Sequence, residues 1–336
     1  MSIEIIQDPS QWDSFVEESP DKLLFHKWDF LKIMEKHSGN RLFPYGIFEK
    51  RKLICVFPLF YVKKFGLKFL NSQPYGSGIP YLGLLMGRDY YSGKQHDRES
   101  RLIKVVDEIN KEITSIAPNS IYLQFGPRVD DIRPFKWSGY NMDVNYSYVI
   151  DLALPLDSIW NAFDKKCRNE IKSAEKYPLI IKPSEDVKKF YSIMEEKYSS
   201  QNLTFSKFGS DYFHDIIRSF PENIKIYFVY NDDKVINLAM NYEFNGRLVF
   251  WKGLVNLDKT IHSGEFLTWE FIKKARSDGL KTLEHQGANT RRLCYFKSKF
   301  NPSIEPYFSV TKKDTKAKIS EALYSKFLQR NSIFWV

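Results

Sequence analysis

Residues 281–286, Lys-Thr-Leu-Glu-His-Gln, put a carboxylate and an imidazole side by side on a stretch with strand character. Side chains alternate across a strand, so Thr282, Glu284 and Gln286 face one way and Leu283 and His285 the other. Glu284 or His285 has the chemistry of a base that takes a proton from an incoming nucleophile; a satisfied polar group at a sheet end is the alternative for each. A second set lies at 158–176, where the spacing predicts one amphipathic helix. Trp160, Phe163, Cys167, Ile171 and Ala174 share its apolar face, and Lys165, Arg168, Asn169, Lys172 and Lys176 share the other. Arg168 and Lys172 suit the oxygens of a substrate phosphate, or else belong to a solvated charged face. A third set is Ile261-His262-Ser263-Gly264-Glu265, ahead of a predicted helix. Ser263 and Gly264 there are either part of a phosphate cradle on backbone N–H groups or a plain helix cap.

Other chemistries lack their residues. The six histidines show no ligand spacing, so no metal site is expected. No G-x-S-x-G elbow, phosphate-binding P-loop or dinucleotide G-x-G-x-x-G occurs. Cys55, Cys167 and Cys294 lie far apart without a CxxC pair, which fits a reducing compartment. The opening residues lack a basic start followed by an apolar stretch, and the longest apolar run, Leu53 to Val62, is short of the ~20 residues of a membrane span. The reading is therefore a cytoplasmic protein with no integral membrane segment.

The elements that must position these residues come in two sets. At 336 residues, 43% of them hydrophobic, the chain holds enough apolar material for two cores. Domains of 1–150 and 151–336 are expected. The first opens with helices near Trp12–Glu17 and Phe25–His37, followed by strands Phe43–Phe48 and Leu53–Val62. After the glycine segment at 73–78 come a long helix, Arg98–Ile116, and a strand, Ser120–Phe125, that ends at Gly126. The second repeats that grammar: strands Lys225–Tyr230, Val235–Phe244 and Leu248–Gly253, a helix Gly264–Ser277, and the strand ending at Gly287. A recurrence offset by about 160 residues is the mark of a duplicated unit. Meander, then helix, then strand predicts an α+β class, each domain a mixed, mostly antiparallel sheet flanked by helices.

Three stretches carry a family resemblance: Tyr148-Val-Ile-Asp-Leu152 with Trp160 and Lys165-Lys-Cys-Arg-Asn-Glu-Ile-Lys-Ser-Ala174; Pro74-Tyr-Gly-Ser-Gly78; and Gly279-Leu-Lys-Thr-Leu-Glu-His-Gln-Gly-Ala-Asn289 with Tyr295-Phe-Lys-Ser-Lys-Phe300. In order and spacing the chain resembles the Fem-type aminoacyltransferases of peptidoglycan bridges. The resemblance implies two tandem acetyltransferase-like (GNAT) domains and an N-acyltransferase acting on an amine of a cell-envelope precursor or nucleotide-linked sugar. It implies no tightly bound cofactor and a donor that is acyl-CoA or aminoacyl-tRNA. Lys297 matches the lysine of the family's "FK" motif, which the resemblance places to stabilise the oxyanion of acyl transfer beside the base, Glu284 or His285; a surface lysine is the alternative. Tyr75, Gly76, Trp251 and Phe296 join Arg168 and Lys172 as substrate-binding candidates, with Ser263 and Gly264 at the donor.

Two departures bear on partners. No long heptad stretch supplies a coiled-coil arm, and the coenzyme A loop [QR]-x-x-G-x-[GA] is absent. The expected partners are a phosphorylated small-molecule or lipid-linked acceptor and tRNA, with no DNA. The net charge of +9 favours such anions or merely solubility, and it leaves open a non-catalytic GNAT pair that binds tRNA or another anionic polymer.

Overall fold

The apolar runs become strands, and turn residues with positive φ separate them. In the computed structural model, which describes residues 1–327, the chain divides into two units, Met1–Val144 with Tyr307 onward, and Asn145–Pro306.

The first unit contains β1 (Ser2–Ile5), β2 (Arg41–Glu49), β3 (Lys52–Lys64), β4 (Leu67–Asn71), β5 (Leu85–Met86) and β6 (Ser120–Gln124). They pair in the order β1-β2-β3-β4-β6, antiparallel except for β4 and β6, with β5 on β3. Parallel neighbours need a long crossover, and helix Gln95–Ile116 supplies it. Leu102, Val105, Val106, Ile109 and Ile113 are its buried stripe, and the helix stops at Ala117 in the left-handed region. Those side chains pack with Phe57, Leu59, Phe125 and Phe135 in the first unit's core.

In the second unit β7 (Asn141–Asp151, entering from the first), β8 (Leu179–Ser184), β9 (Ile224–Asn231), β10 (Lys234–Phe244), β11 (Arg247–Gly253) and β12 (Thr282–His285) run in the order β7-β12-β11-β10-β9-β8. Only β11 and β12 are parallel, with helix Ser263–Ser277 between them. That helix is buried nearly all round and forms the centre of a second core with Ile150, Phe163, Ile171, Val229, Phe250 and Leu283. The α+β class and the repeated meander–helix–strand order are both present.

Three expectations change. The helix predicted over 158–176 is two, Leu156–Ala162 and Lys165–Ala174, because Asp164 accepts a hydrogen bond from the Lys166 amide at 2.8 Å and starts the second one afresh. Strands β4 and β8 and the helices Val187–Ser199 and Ser210–Ser219 lie where no element was expected. The domain expected to run from 151 to the C-terminus instead returns from Tyr307 to the first unit, where β13 (Ser303–Lys313) pairs with β6 through Ser309–Lys313.

Ile109 is 1% exposed at the middle of the crossover helix. Ile109→Ala leaves a cavity there and is expected to lower the unfolding free energy by about 2–5 kcal/mol, read from a urea titration.

Candidate active site

The pairing of β11 with β12 covers four residues, Arg247–Phe250 against Thr282–His285, and stops there. Strand β11 continues through Trp251, Lys252 and Gly253 alongside β10. Gly253, at φ +104°, lies so close to β10 that a Cβ would stand 2.6 Å from the Leu238 carbonyl oxygen and 2.7 Å from the Ala239 Cα. On the other side the chain leaves β12 through Gly287, at φ +80°, and the Ala288 amide donates to the Tyr146 carbonyl at 2.8 Å. The two parallel strands therefore part, one leaning on β10 and the other on β7.

Lys297 lies beside this opening. Helix Arg291–Lys297 carries it, and its Nζ donates to the carbonyls of Gln286 and Gly287, the latter at 3.0 Å. The side chain is 9% exposed, and burial pulls its pKa down to about 8. An ammonium has three N–H bonds, and these two carbonyls take two of them.

His285 is 1% exposed, its ring stacked on Phe300 at 5.6 Å and met at a tilt by Phe250 at 4.7 Å. Neither ring nitrogen has a hydrogen-bond partner. Burial, and then the charge of Lys297, hold its pKa well below 6.5, so the imidazole is neutral.

Glu284 has a different situation. Its carboxylate accepts from Ser147 Oγ at 2.7 Å and from the Arg247 guanidinium at 2.7 Å, and Arg247 also reaches Glu305 at 2.8 Å. Glu284 is fully buried. This network ties β12 to β7, β11 and the start of β13, so the Glu284 oxygens are engaged in holding strands together.

The other expected residues divide. Phe296 lies over Gly264, whose Cβ position would be 3.3 Å from its ring. Ser263 is the first residue of its helix, with His262 as the cap; its hydroxyl accepts from Asn237 Nδ2 at 3.0 Å and donates to Asn256 at 3.2 Å. Ser263 and Gly264 are both buried. The Ser263 hydroxyl is thus engaged within the protein, and the Phe296 ring covers the Cα of Gly264. Arg168 donates to the carbonyls of Asn161 and Phe163 and so binds the preceding helix end, while Lys172 remains exposed. Trp251 packs on Phe213 and Tyr242. Tyr75 and Gly76 belong to the first unit, on the loop after β4.

Two residues of the opening escaped the sequence reading. Lys252 follows the end of the β11–β12 pairing, partly buried, with no hydrogen-bond or ion-pair partner among the described residues, and burial brings its pKa to about 8. Asn241, opposite Phe250, is 2% exposed, and both its amide atoms lack partners. The available signal was a lysine and an asparagine inside otherwise apolar strand runs. Glu170, His262 and Glu265 also converge within 4.8 Å, but the Lys299 ammonium bridges the two carboxylates where a cation would bind.

The meander, the crossover helix and the parallel strands that part beyond it lie within residues 161–297, which match the family of acetyltransferase (GNAT) domains. Over these residues the second unit is similar to a GNAT domain. No curated protein sequence matches the chain. Among solved structures the chain is similar to FemX at a TM-score of 0.65 and 12% identity, covering 97% of this chain and 100% of that one. It is also similar to L-PGS from Bacillus licheniformis at 0.57 and 12%, covering 98% and 100%. A third likeness is to the C-terminal domain of a putative lysylphosphatidylglycerol synthetase from Agrobacterium fabrum at 0.56 and 12%, covering 93% and 97%. At these identities the likeness is one of fold. Among the described residues no helix is long and apolar enough to cross a membrane.

Removing one partner of a buried ion pair strands the other. Glu284→Ala, which takes one buried carboxylate from Arg247, is expected to destabilise the second unit by about 3 kcal/mol, seen as a lower urea midpoint. A midpoint equal to wild type would show that the network does not hold β12.

Proposed function

We propose that the GNAT domain transfers an acyl group from an activated ester to an amine, with Lys297 stabilising the oxyanion. The observation that carries this is the buried lysine beside the parted strands, with two of its N–H bonds taken by the Gln286 and Gly287 carbonyls. Attack of the amine on the acyl carbon forms a C–N bond and places negative charge on the former carbonyl oxygen. The third N–H of Lys297 is the donor for that oxygen. The ammonium formed by the attack gives up its proton, and the tetrahedral species collapses as the donor's oxygen takes up that proton and leaves as the alcohol. That ammonium is far more acidic than a free one, so a weak base suffices, and the neutral, unpartnered imidazole of His285 is available. Glu284 is a positioning residue that fixes β12.

The Phe296 ring over Gly264 crowds the start of the helix and so supports a donor that needs no pyrophosphate cradle there, an aminoacyl ester of tRNA over a coenzyme A thioester. The likeness to FemX supports an amine on a phosphorylated cell-envelope precursor as the acceptor. Product mass after incubation with such a precursor is expected to show addition from aminoacyl-tRNA. Equal turnover with acetyl-CoA would overturn the ester assignment, and tRNA binding without turnover would favour the non-catalytic reading.

Lys297 is cationic below about pH 8 and loses its proton above it, so turnover is expected to fall as pH rises through 8. Lys297→Met should lower kcat about 100- to 1000-fold while leaving the melting temperature unchanged or higher, because a buried cation disfavours folding. Lys297→Arg should move the alkaline fall upward. Full activity in Lys297→Met would remove the role.

A further inference from the structure

Strands β3 and β4 are joined by a two-residue turn, Phe65-Gly66, at φ +51° and +76°. Such turns favour Asn-Gly, because both positions need positive φ, and a bulky aromatic at the first is an outlier. The Phe65 ring has a relative exposure of 101%, so nothing in the protein covers it. An outlier of this kind invites a functional explanation. The flanking Lys63 and Lys64 are exposed, and neither pairs with an acidic group among the described residues.

The same sheet end carries more of this chemistry. Asn119 clamps the neighbouring chains together: its amide donates to the Lys68 carbonyl at 2.8 Å, its carbonyl accepts from the Asp314 amide at 2.9 Å, and its side chain binds both residues. The helix Thr315–Phe327 therefore begins at the hairpin's end of the sheet. Ile319 and Leu323, one turn apart on it, are 56% and 52% exposed, and Lys316 and Lys318 lie alongside them in the sequence. The acids here are engaged: Asp314 caps Ala317 and binds Asn119, and Glu321 pairs with Lys313.

We propose that this end of the first unit docks on an anionic lipid bilayer. Phe65, Ile319 and Leu323 enter the boundary between headgroups and acyl chains, and the lysines meet lipid phosphates, the combination by which peripheral proteins bind membranes. Aliphatic side chains beside the aromatic favour a bilayer over a nucleic acid, whose bases stack on rings.

The test is sedimentation of the full chain with phosphatidylcholine vesicles, with and without phosphatidylglycerol. Wild type is expected to partition onto the anionic vesicles only. Phe65→Asn is compatible with the turn, since asparagine adopts positive φ readily, so its melting temperature should hold while its partition falls about tenfold; K63E/K64E should fall at least as far. Equal binding to both vesicles, unchanged partition of both variants, or capture by tRNA without vesicle binding would each overturn the proposal.

Discussion

Two parallel strands cannot be closed by a tight turn, and this constraint organises the second unit. Joining β11 to β12 requires helix Ser263–Ser277 as a crossover, and the helix sits at the centre of the core. The crossover brings the strands together over four residues only. Past that point Gly253 holds β11 against β10, and the turn at Gly287 carries the other chain toward β7. The groups able to do chemistry collect where the strands diverge, since backbone there is no longer used by the ladder.

Polar groups around that point fall into two kinds. Ser147, Arg247, Glu284 and Glu305 satisfy one another, which suits residues whose work is to hold strands. Asn241, His285 and Gln286 keep buried atoms without partners, an arrangement that works against stability unless a ligand or water completes it. Lys252 and Lys297 add two cations whose protons burial has loosened. Desolvation of an ammonium is unfavourable to folding, so lysines kept there fit a role in binding charge that forms during a reaction.

The first unit repeats the crossover without these features. Where its parallel strands β4 and β6 end, Gln73 donates to the Gln124 side chain at 2.8 Å and the Gln124 amide donates to Ser72 Oγ at 2.9 Å. Neutral groups satisfy one another there, and no buried cation accompanies them among the described residues. The repeated architecture thus keeps buried, unpartnered polar groups in one copy and an exposed aromatic turn with its lysines in the other.

Much of the fold was legible because local patterns and tertiary packing agree. The β9–β10–β11 meander, the apolar stripe of helix Gln95–Ile116 and the strand–glycine ends at Gly126 and Gly287 follow from periodicity and turn chemistry alone. Helix 158–176 was misread because Asp164 breaks it through a side-chain bond that periodicity does not record. Strand β13 was missed because the β6 residues it pairs with, Ser120–Gln124 against Ser309–Lys313, lie far earlier in the chain. Residue types and their order determined which candidate groups the chain offers, while only the tertiary structure decided which of them are engaged by neighbours. Burial decides whether a carboxylate is a base or a clasp, as in Glu284, and whether a lysine holds its proton near neutrality. Burial is set by strands far apart in sequence, which no local spacing can encode.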